Sequence, residues 1–202
     1  MVRVIGLTGG IACGKSTVSQ QLHEEFGAEI LDADVIAYQL AEPGNLLWSA
    51  FISRYGKERI CQCDGTLNRP AIAEIVFKNQ EEKRWMDATA HPLIRQKLLE
   101  ELANCQSIGH KVVVLDVPLL FEVGWESLPN EVWVVYVEPE IQLRRLMQRN
   151  NISEEMARNR IAAQMSLEEK KKRADVIIDN SGSREETMMQ VREAFAHLHT
   201  GT

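Results

Sequence analysis

Gly9-Gly10-Ile11-Ala12-Cys13-Gly14-Lys15-Ser16-Thr17 follows the apolar run Val2-Arg3-Val4-Ile5-Gly6-Leu7 and precedes a segment in which Val18, Leu22 and Phe26 recur four apart. The run has the character of a short buried strand, and the spacing predicts a helix over 15–26 with one apolar face. A Gly-x-x-x-x-Gly-Lys-Ser stretch between a strand and a helix is a phosphate-loop pattern. Its glycines permit a tight turn whose N–H groups converge on an anion, and the helix adds the positive end of its dipole. Lys15 then brings a mobile charge to a transferring phosphate, Ser16 offers an oxygen to magnesium, and Thr17 adds a phosphate contact. With Ala12, Cys13 and Gly14 they form the expected nucleotide-binding set. A bare Gly-rich turn is the plain alternative, and the strand before and helix after argue against it.

The chain has 202 residues, enough for one substantial core with insertions. Its 23 Lys plus Arg against 29 Asp plus Glu give a net charge of -6, which argues against a basic nucleic-acid-gripping surface. No apolar stretch approaches the roughly 18 residues of a membrane span, so a cytoplasmic location is expected. Cys13, Cys61, Cys63 and Cys105 lack the paired spacing of a zinc site and are expected to be reduced thiols.

Four further strands are expected at Glu29-Ile30-Leu31, Val112 to Leu115, Val132 to Val137 and Val176-Ile177-Ile178, each separated by helical patterns. This predicts an α/β fold with a mostly parallel five-stranded sheet, whose active crevice lies at the strand carboxyl ends. Residues 1–34, 110–137 and 174–202 would form the nucleotide-binding core, and 35–109 a helical acceptor-binding region. The interval 138–173 has nine basic and six acidic residues, or +3, and is the candidate lid facing phosphates. Arg184 to Leu198 is the expected closing helix, with Val191, Phe195 and Leu198 inward.

Asp116 ends an apolar run, where a carboxylate can organise the water shell of a magnesium ion, or only cap a turn. Asp32-Ala33-Asp34 closes another strand. Beside a phosphate loop, Asp34 is the first candidate to accept a proton from an alcohol nucleophile, with Asp32 in support; the plain alternative is an Asx turn or helix cap. His91 and Arg95 are four apart and can share a helical face toward a phosphorylated acceptor, provided Pro92 lies near that helix's beginning. Leu119 and Glu122 follow Asp116, as packing and a charged rim. Arg145 and Arg149 share a face, as do Arg160 and Gln164, unless the interval is simply a solvated surface. His197 and His199 are expected at the surface, with no metal motif among the histidines.

The sequence resembles the dephospho-coenzyme A kinase family over essentially its whole length. The resemblance rests on Leu7-Thr8-Gly9-Gly10-Ile11, Gly14-Lys15-Ser16-Thr17, Leu31-Asp32-Ala33-Asp34, His91-Pro92-Leu93-Ile94-Arg95, Asp116 to Glu122, and Ala174 to Gly182. It implies a three-layer P-loop nucleotide kinase fold with a helical acceptor region and a mobile lid. It also implies ATP-dependent phosphorylation of the ribose 3'-hydroxyl of dephospho-coenzyme A with Mg2+. By that resemblance Asp34 activates the hydroxyl, assisted by Lys15 and Arg145, and Ser16 with Asp116, through water, serves the metal. Thr8, His91, Arg95, Leu119 and Glu122 lie on the acceptor side, Arg145, Arg149 and Arg160 on the lid, and Asn180 and Gly182 near adenine. Ala12-Cys13 departs from the commoner Gly-Ser pair, which raises the prospect of an oxidation-sensitive Cys13.

A kinase for another small metabolite shares the loop but not the acceptor-side segments. A regulatory GTPase would need an Asn-Lys-x-Asp segment, which does not occur, and a non-catalytic nucleotide-dependent module would release no ADP with any acceptor. A monomer without nucleic-acid or membrane partners is expected.

Overall fold

The computed structural model describes residues 2–200; the side chains of Phe77, His199 and Thr200 lie outside that description, and with them the surface position expected for His199. Strands β1 (Arg3–Gly9), β2 (Glu29–Asp32), β3 (Val112–Asp116), β4 (Glu131–Tyr136) and β5 (Val176–Asp179) form one sheet in the order β2-β3-β1-β4-β5. The pairs β1–β3, β1–β4 and β4–β5 are parallel, with Leu7 opposite Asp116 and Trp133 opposite Val176. All five residues of β3 are buried, as expected of a strand covered by helices on both faces in a three-layer α/β fold.

The helices are α1 (Lys15–Phe26), α2 (Ala33–Leu40), α3 (Leu46–Tyr55), α4 (Lys57–Ile60), α5 (Arg69–Lys78), α6 (Gln80–Ser107), α7 (Pro139–Asn150), α8 (Glu154–Ala162), α9 (Leu167–Lys172) and α10 (Arg184–Thr200). No helix among the described residues is long and apolar enough to cross a membrane. The chain divides into two units: 1–31 with 105–202, and 32–104.

The first unit contains the sheet. Its core joins Ile5, Leu7, Val114, Trp133 and Val135 to Val18 and Leu22 of α1 and Val191, Phe195 and Leu198 of α10. The four-residue spacing in α1 is thus the buried stripe, with Val18 and Leu22 at 0% exposure. Phe26 stacks on Phe195 with ring centroids 4.0 Å apart. One expectation fails: β3 and β4 are not joined by a helix. The connecting segment is a series of turns, in which Leu120 N–H donates to Val117 O, Val123 N–H to Leu119 O and Trp125 N–H to Leu120 O. Its apolar residues Leu120, Phe121 and Trp125 are buried, which supplies the packing a helix would have given.

The second unit is helical. Leu47, Phe51, Ile60, Leu67 and Ile72 form its centre, with Tyr55 and Trp85 packed against it. Phe51, Tyr55 and Trp85 meet edge-on or tilted at centroid distances of 5.5 to 6.0 Å. Pro92 does not begin a helix. It lies inside α6, where its missing N–H deprives one upstream carbonyl of a partner and the surrounding turns carry the helix past it.

Replacing Phe195 by Ala removes a buried ring from the α1–α10 contact and is expected to cost about 3 kcal/mol in urea unfolding. A loss below about 1 kcal/mol would mean that the stacked pair contributes little to holding α10.

Candidate active site

The phosphate loop connects β1 to α1 in the first unit. Gly14, the residue before α1, has φ 85°, a left-handed conformation open to glycine at no steric cost. A side chain there would strike the Asn180 amide. Ala12 also has positive φ, 62°, and Cys13 N–H donates to Gly10 O at 3.2 Å. Gly10 to Cys13 therefore forms a turn of type II, whose third position favours glycine. Ala12 holds it at a cost of about 1 kcal/mol.

Lys15 Nζ pairs with Asp116 Oδ1, bringing together the first residue of α1 and the last of β3. The register sets Leu7, near the end of the strand that leads into the loop, beside Asp116. Asp116 is only 3% exposed, so its charge is kept in the fold by the lysine. Ser16, the next residue of α1 after Lys15, is exposed.

Ala12, Gly14, Thr17, Gln20, Arg145, Asn180, Gly182 and Arg184 line one cavity of about 370 Å³. The structure thus gathers loop, α7 and the segment after β5 around one space, with the sequence candidates Arg145, Asn180 and Gly182 among its walls. Gln20 and Arg184 were missed. Gln20 lies one helical turn beyond Thr17, a spacing that would have found it; Arg184 sits at the start of α10 with no local motif to mark it. Asn180 is buried, donating Nδ2–H to Cys13 O at 2.7 Å and accepting from Thr187 Oγ1 at 2.9 Å.

Thr8 is 0% exposed and donates to Pro118 O at 3.0 Å. Lys170, also 0% exposed, donates to the same carbonyl at 2.8 Å and pairs with Glu122 at 2.9 Å. Glu122 further accepts from Met165 N–H at 3.0 Å. Burial pushes the Lys170 ammonium below the ordinary lysine value, and Glu122 opposes that shift. The basic residues of α9 and its end accordingly do not present a common face to phosphates. Arg173 pairs with Glu126 and lies over Phe121, and Lys171 lies over Tyr136. Of the other lid candidates, Arg149 Nε donates to Asn150 Oδ1 at 3.0 Å, and Arg160 is exposed. Leu119 is 37% exposed.

Cys13 is 1% exposed, and burial pushes its thiol up to about 12 against partial opposition from the Gly10 backbone, Lys170 and Arg145. The cysteine whose oxidation the sequence left open is thus a protonated, enclosed thiol. Among the described residues no three His, Cys, Asp or Glu side chains group as a metal site.

In the second unit Asp32 caps α2, its Oδ1 accepting from Asp34 N–H at 2.7 Å and Val35 N–H at 3.2 Å. Asp34 lies exposed in the first turn of α2. His91 Nε2 approaches Asp87 Oδ1 at 3.9 Å in α6, and Arg95 is exposed one turn on. A separate cavity of about 440 Å³ has Leu47, Phe51, Ile72 and Met86 among its apolar walls, with Arg69, Asp87 and His91 as its charged or ionisable ones. Arg69, which the sequence reading overlooked, lies 4.2 Å over the Tyr38 ring.

Residues 3–186 match the sequence profile of the dephospho-CoA kinase family. A dephospho-CoA kinase of Geobacillus kaustophilus is 48% identical over 191 residues, covering 95% of this chain and 94% of its own. One from Thermosynechococcus vestitus is 43% identical over 197 residues, covering 98% and 95%. Among solved structures, a Thermus thermophilus protein superposes with TM-score 0.83 at 35% identity, covering 99% of each chain. The dephospho-CoA kinase of Campylobacter jejuni gives 0.74 at 32%, covering 100% of this chain and 99% of its own. A shikimate kinase of Bacteroides thetaiotaomicron, at 16% identity and TM-score 0.56, shares the fold alone.

With its thiol pushed up to about 12, Cys13 stays protonated at pH 8 and should resist a disulfide reagent in the folded protein, while exposed Cys63 reacts. Above the ordinary thiol value unfolding releases the Cys13 proton, so this group's contribution to stability falls as pH rises from 9.0 toward about 12. Mass mapping of labelled peptides with and without urea checks the first point; rapid native labelling at Cys13 would contradict it.

Proposed function

Because the chain belongs to the dephospho-CoA kinase family, we propose that it transfers the terminal phosphoryl group of ATP to the ribose 3'-hydroxyl of dephospho-coenzyme A, yielding coenzyme A and ADP. What supports the donor side most directly is the phosphate loop with Lys15 paired to Asp116 beside a cavity lined by Arg145.

Lys15 compensates charge on the transferred group, and the N–H groups of residues 12–17 hold the phosphates. Arg145, with Arg149 and Arg160 as the further lid cations, adds positive charge as the site closes. Asn180 and Gly182 form the adenine side, a role consistent with their place on the same cavity as Gly14. Ser16 and Asp116 suit Mg2+, a hard cation that takes oxygen ligands. Asp116 Oδ1 is engaged by Lys15, and Asp116 would serve the ion through its water shell. When bound, the ion supplies further charge compensation on the phosphates.

On the acceptor side Asp34 accepts the proton of the 3'-hydroxyl as that oxygen forms its bond to phosphorus and ADP leaves. Asp32 supports it by capping α2. His91 and Arg95 bind the acceptor's phosphates, with Arg69 added to them, and the apolar cavity near His91 suits the acceptor's uncharged chain. Leu119 flanks the acceptor, whereas Thr8 and Glu122 act by holding the segment after β3, as their bonds to Pro118, Lys170 and Met165 support.

Incubation with Mg-ATP and a panel of acceptors tests the reaction. Dephospho-coenzyme A should gain one phosphoryl group by mass with matching ADP release, while adenosine monophosphate and pantothenate should not; the reverse selectivity would overturn the assignment. Lys15→Ala should lower turnover roughly 100-fold or more. Asp34→Asn should lower it by roughly 100-fold to 10,000-fold with a much smaller effect on acceptor binding. Turnover within about threefold of the parent would remove Asp34 from the chemistry, and rescue by excess Mg2+ would reassign it to ion placement.

A further inference from the structure

Ile11 has both backbone polar groups taken by side chains from the 138–173 interval. Its N–H donates to Gln164 Oε1 at 2.8 Å, and its carbonyl accepts from Gln142 Nε2 at 2.8 Å. Gln142 belongs to α7, is 4% exposed, and also places Nε2 3.8 Å from Cys13 Sγ. A side chain on Gly10 would put its Cβ 2.6 Å from Gln142 Nε2, so the bare backbone at Gly10 leaves room for the contact.

The Ile11–Ala12 peptide is the central peptide of the Gly10–Cys13 turn. Rotating that one peptide converts between turn types I and II, and in type II the third residue has positive φ. Ala12 has φ 62°, a conformation its Cβ disfavours, so the turn's own preference is for the rotated peptide. In a trans peptide the N–H points opposite the carbonyl. Gripping Ile11 O therefore also fixes the direction of Ala12 N–H, and Ala12 lines the cavity beside Gly14 and Thr17.

We propose that Gln142 is a positioning residue of the phosphate loop: by holding Ile11 O it keeps the Ile11–Ala12 peptide in the orientation that presents Ala12 N–H to a nucleotide phosphate. Gln164 steadies the preceding peptide through Ile11 N–H. The same helix carries Arg145, so α7 contributes both a cation to the cavity and the restraint on the loop's backbone. The dependence is strong because residue 12 is alanine; a glycine would adopt positive φ unaided.

The inference rests on the nucleotide reading of the loop, so its test measures Mg-ADP binding by calorimetry, with no acceptor present. Gln142→Met keeps the side chain's length and removes its donor. It should weaken Mg-ADP binding about tenfold, the scale of one lost hydrogen bond to the binding backbone. Adding Ala12→Gly to Gln142→Met should recover at least about threefold of that loss, beyond any effect of Ala12→Gly in the parent. Thermal unfolding of each variant is followed in parallel, and Gln142→Ala serves under the same criterion if the methionine variant does not fold. Glycine at 12 cannot repair lost packing at 142, so its rescue distinguishes backbone positioning from a merely structural role. Binding by Gln142→Met within about twofold of the parent, or no rescue by Ala12→Gly, would overturn the proposal. A parent that binds no Mg-ADP would remove the nucleotide reading and this proposal with it.

Discussion

The parallel register of β1 on β3 is the constraint on which the arrangement around the phosphate loop depends. It sets Leu7 opposite Asp116, so the strand that ends in the phosphate loop and the strand that ends in a carboxylate finish side by side. Lys15 then reaches Asp116 across the gap. Sliding the pairing by one residue would reverse which face each side chain occupies and separate the pair. The core enforces the register, since Ile5, Leu7 and Val114 are all fully buried in it.

Around that pair the loop is held from two further directions. Asn180, after β5, grips Cys13 O, and Gln142 and Gln164 grip Ile11. Every one of these bonds is made by a side-chain amide to a backbone group. Amides suit such a place because they donate and accept without adding net charge to the loop. Buried charge occurs at Asp116 of that pair and again at Lys170, which is compensated by Glu122 and by the Pro118 carbonyl. That arrangement fixes the segment following Asp116, although its desolvation makes it a costly way to do so.

Much of this was legible in the sequence because it was periodic or local. The strand positions came from short β-rich runs, α1 from its four-residue spacing, and the loop from glycines around Lys15. Asp32 as the cap of Asp34 was foreseen as one of two readings, since an Asx contact spans only two residues. Long-range partnerships were invisible. Nothing near Lys170 in the sequence says that it turns inward rather than joining its basic neighbours, and nothing near Gln142 announces Ile11. Pro92 misled because proline's local preference for a helix start was overridden by the turns on either side. The helix expected between β3 and β4 failed for a related reason: the apolar content of 117–130 measures burial, which turns can also provide.

The tie between Cys13 and Asn180 spans 167 positions of chain, and it gives the protein a particular order of assembly. A ribosome makes the phosphate loop well before the amide that secures it and the Thr187 hydroxyl that orients that amide. The nascent chain must therefore carry an incompletely braced loop until those later residues have been made. A product that stops short of β5 retains the whole Gly-Lys-Ser signature while lacking the brace, so in this protein possession of the motif and possession of the finished anion nest are separated in time.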